Sequence, residues 1–234
     1  MKNSAPKNSP NKTPAPPKGK QPPVPVTNAG GGRTLFVVGV IGAAAFTVVL
    51  IALVAWWFFS RGPSISDQTR LAFQQYDKNN DGYLDAAELE QCPALKAALK
   101  QIDADGDGKI SVAELQERMR QHRDSGITIQ AVVCRFSMDG RPLVGANVTI
   151  VPEALHGTSV KPAIGTTDAN GSVSLSIEGG TLPGCQNGFY RVQVSKKDSK
   201  GQELLPSKYQ ENSILGLEVA PDRKEAEQFK VTSK

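Results

Sequence analysis

Cysteine is scarce: Cys92, Cys134 and Cys185 are the only three in 234 residues. None has the spacing of a zinc ribbon, and an odd number leaves at least one thiol outside any internal pair. Histidine is scarcer still, with His122 and His156 alone, neither beside a recognisable nucleophile. No GxSxG, phosphate-cradling glycine loop or HExxH occurs. No enzyme class is signalled, and the chain reads as non-catalytic. His122, in the run RMRQHRDS, and His156, in an expected loop, read as solvated surface residues.

Acid is absent from residues 1–34, which carry Lys2, Lys7, Lys12, Lys18, Lys20 and Arg33. The tail is therefore +6 and the other 200 residues −2, since the whole chain is +4. The excess base belongs to the tail, so it does not point to nucleic acid. Half of the 16 prolines also lie there. With almost no apolar side chains to bury, residues 1–34 read as a disordered arm.

Charge is then missing from Leu35 to Phe59, LFVVGVIGAAAFTVVLIALVAWWFF. At about 1.5 Å per residue a helix of this length spans roughly 37 Å, enough for a hydrocarbon core of about 30 Å. Trp56 and Trp57 close it, where amphipathic rings favour the interface. A cleaved secretory signal would be shorter, begin earlier and end in small residues. A buried core helix would have a polar face. Residues 35–59 are expected to be a single transmembrane helix in the lipid bilayer. The basic tail places the N-terminus in the cytoplasm and exports the body to the periplasm or cell surface. Such a compartment permits disulfides. Cys134 and Cys185 are expected either as a pair or as two buried thiols, and Cys92 as a small core residue.

After a linker at 60–66, two twelve-residue patterns follow: DKNNDGYLDAAE from Asp77 and DADGDGKISVAE from Asp103. Oxygen donors stand at positions 1, 3, 5, 7, 9 and 12, with glycine at 6 for the turn. A hard cation such as Ca2+ takes six to eight oxygens in this order. The first set is Asp77, Asn79, Asp81, the Tyr83 carbonyl, Asp85 and Glu88 around Gly82. The second is Asp103, Asp105, Asp107, the Lys109 carbonyl, Ser111 through a water, and Glu114 around Gly108. Each loop holds four carboxylates and one lysine, a net −3, which repels itself until a cation arrives. Leu84 and Ile110, apolar at position 8, are expected to pair as short strands.

The flanks agree with this EF-hand pattern. Leu95, Ala98, Leu99 and Ile102 form one helical face before Asp103, and Thr69, Ala72, Phe73 and Tyr76 hold the same offsets before Asp77. The loops start only 26 residues apart, with Pro93 between them. The first exit helix should end near Cys92, and Pro93 should open the next helix. Pairs resembling calmodulin are spaced wider, so the large opening of a sensor is not expected. In spacing only, the pair resembles dockerin modules. Outside the cell, weak sites of order 10⁻⁴–10⁻³ M would be filled, which favours a structural role.

From Ile127 the pattern becomes β-type: Ile127–Phe136, Ala146–Val151, Ser172–Ile177, Phe189–Ser195, Leu215–Val219 and Gln228–Thr232, with turns at MDGRP, DANG and GGTLPG. Short strands with regular turns indicate an antiparallel sandwich, and Gly171 fits a tight turn after Asp168. The stretches DGRPLVGANVTIVPE, GTTDANGSVSLSI, FYRVQVSKK and LLPSKYQENSILGLEV resemble the carboxypeptidase-regulatory-like, transthyretin-like β-sandwich domains of bacterial exported proteins. That resemblance implies a non-catalytic adhesion, spacing or interaction module and supplies no site residue. In such a context the sequons at Asn147 and Asn170 read as chance.

The expected organisation is a multi-domain chain: arm 1–34, transmembrane helix 35–59, linker 60–66, all-α EF-hand pair 67–124 and all-β sandwich 127–233. The expected role is calcium binding by an anchored, non-catalytic structural or interaction protein. The alternative is a calcium-responsive, dockerin-like or sensor module that binds a surface protein or glycan.

Overall fold

The computed structural model describes residues 48–54, 56, 64–180, 183–223 and 226–233. The arm at 1–34, and most of the expected span and linker, lie outside the described residues. Within the span, residues 48–54 and Trp56 are helical, with their side chains exposed. Among the described residues no helix is long and apolar enough to cross a membrane.

The described residues from Ser64 onward belong to one compact unit. Ser64 caps helix α1 (Ile65–Tyr76), its hydroxyl accepting from Asp67 N at 3.2 Å. This satisfies a backbone donor that the first turn leaves free. The buried face of α1 holds Thr69, Ala72, Phe73 and Tyr76 as the spacing requires, joined by Gln68. Helix α2 (Ala86–Leu89) is a single turn. It ends just before Cys92, and Pro93 opens α3 (Pro93–Ile102) at a position where no helical N–H is needed. Helix α4 (Val112–Asp124) completes the pair. Strands β1 (Tyr83–Leu84) and β2 (Ile110–Ser111) pair antiparallel, Leu84 opposite Ile110.

The β-rich part follows as β3 (Val133–Met138), β4 (Arg141–Pro142), β5 (Asn147–Pro152), β6 (Ala163–Thr166), β7 (Ser172–Ser174), β8 (Ser176–Ile177), β9 (Gly188–Ser195), β10 (Leu215–Val219) and β11 (Glu227–Val231). One sheet has the order β10-β9-β5-β6-β8, and the other has β11-β3-β4 with β7 also on β3. Alternate side chains of both sheets meet in one core that includes Phe136, Val148, Ile150, Val192, Val194 and Phe229. The rings of Phe136 and Phe229 stack at 4.9 Å.

Three features depart from the sequence reading. Strands β4 and β6 were not expected, because RP carries little intrinsic β preference and AIGT is a four-residue run interrupted by Gly165. They are held by their neighbours, as where Val148 pairs Gly165. Strand β11 runs parallel to β3, so the sheets are not wholly antiparallel. Its preceding strand lies in the other sheet, and no hairpin dictates its direction. Both histidines are buried rather than solvated, at 7% and 4% exposure. His122 follows Leu115 and Met119 on the buried stripe of α4, and His156 closes a short turn against Phe189. The three cysteines are buried free thiols.

The hands do not stand apart from the sheets. Leu155 and Phe189 of the β-rich part belong to the same core as Leu84, Leu89, Leu95, Ile110 and Leu115. Helix α3 lies on β10 so closely that a Cβ at Gly216 would sit 1.9 Å from Pro93 O and 2.4 Å from Ala94 N. Both are backbone atoms, so a larger residue must push the helix away. Gly216→Val is expected to destabilise the folded unit by about 3 kcal/mol or more through this overpacking. Urea unfolding beside Ile214→Val, an exposed neighbour, checks it, and equal midpoints would refute it.

Candidate metal centres and their buried braces

The first carboxylate of each loop is aimed by the turn it precedes. In the first loop Asp77 accepts from Asp81 N (3.2 Å) and Gly82 N (3.0 Å). In the second, Asp103 accepts from Gly106 N (2.6 Å) and Gly108 N (2.9 Å). Gly82 and Gly108 take φ of +83° and +80°, and Gly171 takes +73° in its own turn. Asn80 carries φ +58° at loop position 4, where the second loop has Gly106 at +76°. Positions 3 and 5 repeat the device. Asp81 N donates to Asn79 Oδ1 at 2.8 Å and Tyr83 N to Asp81 Oδ1 at 2.9 Å. Asp107 N donates to Asp105 Oδ1 at 3.1 Å and Lys109 N to Asp107 Oδ1 at 2.8 Å.

The twelfth residues close the loops. Glu88 accepts from Lys78 N (2.7 Å) and Asp85 N (3.1 Å), so it ties the loop's entry to its exit. Glu114 does the same with Ala104 N (2.9 Å) and Ser111 N (2.8 Å), and takes a further bond from Ser111 Oγ (2.7 Å). Asp85 and Ser111 also cap α2 and α4 in capping boxes with these glutamates. Burial alone would raise the Glu114 carboxyl, but the Ser111 and Ala104 donors outweigh it and hold it below its ordinary range. Glu114 is thus held as an anion, and the carboxylates of both loops are oriented by backbone donors.

The donor chemistry fits a hard cation. Oxygens of Asp103, Asp105 and Glu114 lie within 4.8 Å of one another. In the first loop no trio of acids is that close among the described residues, and position 3 is the neutral Asn79. Lys109 Nζ lies 3.9 Å from Asp81 Oδ2 and 5.4 Å over the Tyr83 ring, so the two loops touch through charge as well as through β1 and β2.

Each hand is also braced by a buried carboxylate of the β-rich part. Glu153 accepts from Tyr76 Oη (3.2 Å), one residue before Asp77, and pairs with Arg191 Nη2 (3.5 Å). Arg191 in turn donates to Gln91 O (2.9 Å), just after α2. Glu218 Oε1 accepts from Arg118 Nε (2.6 Å) and meets His122 Nε2 (2.9 Å), both on α4. Asp222 completes a two-pronged contact with the Arg118 guanidinium at 2.8 and 2.9 Å. Sequence reasoning missed these braces. Their signals were a charged residue inside the apolar strand LGLEV, and Arg118 and His122 spaced three and seven residues after the buried Leu115.

The buried imidazole carries a pH dependence. His156 Nε2 accepts from Phe189 N at 2.9 Å, and burial, aided by His122, holds its pKa down at about 4. The unfolded ring takes its proton near 6.5. Its contribution is therefore complete above pH 6.5 and is lost as the pH falls through about 4, an effect of about 3 kcal/mol. Glu153 runs the other way. Burial raises it above its ordinary 4.5, so its contribution is present below that value and is lost as pH rises through the raised one. His156→Gln keeps an acceptor for Phe189 N without the titrating ring. Its stability from pH 7 to pH 4, by urea unfolding, should fall less steeply than the wild type's. Equal slopes would refute the assignment.

Comparison with known families agrees with this geometry. Residues 68–93 match a family model described as EF-hand domain, and residues 95–119 match one described as EF hand. The cofactor of these hands is Ca2+. No curated protein and no solved structure matches the chain.

Proposed function

We propose that this protein is a membrane-anchored, non-catalytic body in which calcium locks an EF-hand pair onto a transthyretin-like β-sandwich outside the membrane. Asp77, Asn79, Asp81, the Tyr83 carbonyl, Asp85 and Glu88 would hold one ion. Asp103, Asp105, Asp107, the Lys109 carbonyl, Ser111 and Glu114 would hold the other. The bound ion supplies charge neutralisation of each net −3 loop. The chain's own residues set the distance between the entry and exit of each hand. The anchor reading is supported by the uncharged run at 35–59 and by the exposed apolar side chains of residues 48–54.

One observation carries the structural reading. The apolar faces of the hands share a core with Leu155 and Phe189. A sensor must release such a face to a target, whereas here it is already committed to the sheet. Calcium titration of the full chain in detergent micelles, by calorimetry with a dye for exposed apolar surface, tests this. Two sites, higher thermal stability and unchanged dye signal are expected. Dye binding that rises with calcium would replace this reading with the calcium-responsive one.

A further inference from the structure

The first hand is gripped at both of its ends by one pair of side chains from the β-rich part. Glu153, the residue after β5, and Arg191, in β9, stand on adjacent strands, where Val151 pairs Arg191 and Glu153 N donates to Phe189 O at 2.9 Å. Glu153 accepts from Tyr76 Oη at 3.2 Å, and Tyr76 is the last residue before the loop that opens at Asp77. Arg191 Nη2 reaches Glu153 Oε1 at 3.5 Å and donates to Gln91 O at 2.9 Å, three residues beyond Glu88. Its Nη1 donates to Ser213 O at 3.3 Å, which fixes the guanidinium from a third side. The path Tyr76–Glu153–Arg191–Gln91 thus joins the entry of the first loop to its exit through the sheet. The Glu153 side chain is 5% exposed and that of Arg191 22%, so water screens these contacts little. In the second hand, hydrogen bonds to the β-rich part fall on the exit helix alone among the described residues, where Arg118 and His122 of α4 meet Glu218.

Both ends matter to a cation. Asp77 and Glu88 must bring their oxygens to within about 2.3–2.6 Å of one ion. The loop between them carries a net −3 charge, whose mutual repulsion favours a wider separation when it is empty. A scaffold that fixes the two ends opposes that opening in advance and raises affinity without touching the ion. We propose that Glu153 and Arg191 are positioning residues for the first calcium site. Through Tyr76 and Gln91 they hold Asp77 and Glu88 within reach of one ion, and they set the affinity of this loop separately from that of the second. This deepens, and rests on, the reading that the first loop holds calcium.

Each loop reports on itself through its glycine, since Gly82 N donates to Asp77 and Gly108 N to Asp103. Calcium is titrated into the full chain in micelles while the amide resonances of selectively labelled Gly82 and Gly108 are followed. Arg191→Met removes the guanidinium and keeps an aliphatic stem. It should raise the calcium midpoint at Gly82 about tenfold, the lower end for loss of a group that orients a metal ligand, and that at Gly108 by no more than about threefold. The smaller change reflects the pairing of β1 with β2, which passes on part of the effect. Tyr76→Phe, which deletes only the hydroxyl, should act in the same direction and serves if the first variant unfolds. Arg191→Lys, which keeps a donor for Gln91 O, should recover part of the loss. A brace that served stability alone would leave the ratio of the two midpoints at its wild-type value, and that result in a folded variant overturns the inference. A wild-type chain whose two glycine amides ignore calcium would overturn the calcium reading itself, and this inference with it.

Discussion

Glu218→Ala should cost about 3–5 kcal/mol, the range for breaking a buried ion pair from one side. The side chain is fully buried, and its Oε1 serves both Arg118 and His122. Burial by itself would raise the Glu218 carboxyl, yet the bonds from His122 and Arg118 hold it low, so it folds as an anion. Without it, the guanidinium keeps the Asp222 contact, whose carboxylate is 58% exposed, and a bond to Gln121 Oε1 at 3.1 Å. The loss should therefore fall toward the lower end of that range. Glu218→Met with Arg118→Met should cost less than the two single changes together, because neither charge is then left alone in the core. Urea unfolding of the four proteins closes the cycle. If the single changes simply add, the pair is not coupled, and the brace on the second hand is incidental.

The hands were legible because their chemistry is local. Twelve consecutive residues fix both the donors and the turn, and Leu84 opposite Ile110 follows from position 8. Pro93 marked the helix start because proline tolerates little else. What escaped was long-range. Glu153 and Glu218 gain their partners only when the hands dock on the sheet, 77 and 100 residues away in sequence. The docking itself depends on the missing side chain of Gly216, which in sequence is one glycine among 22. The histidines were misplaced for a related reason. A polar run around His122 describes one face of a helix, while the other face holds Leu115, Met119 and His122. Strand β6 was missed because it is only four residues long and is interrupted by Gly165, so its pairing with β5 is visible only in the fold.

Removal of calcium should unlock more than the hands. A ligand bound to the folded state alone at about a hundredfold over its Kd stabilises by about 2.7 kcal/mol, so two filled sites supply roughly 5 kcal/mol. Because Phe189 lies in the core of the hands and also forms part of β9, that loss must reach the sheet. Phe189 N is held by His156, and Phe189 O accepts from Glu153 N at 2.9 Å. These bonds sit beneath α1 and α3 and open when those helices loosen. Hydrogen exchange of the full chain with calcium and with chelator should show faster exchange at Phe189 and in β10 as well as in the loops. Strands β3 and β11, in the other sheet, should change less. Glu114→Gln should reproduce roughly half of the thermal shift, since it weakens one loop and leaves Glu88 intact. If chelation speeds exchange only between Asp77 and Glu114, with β9, β10 and the unfolding temperature unchanged, calcium does not lock the two parts together.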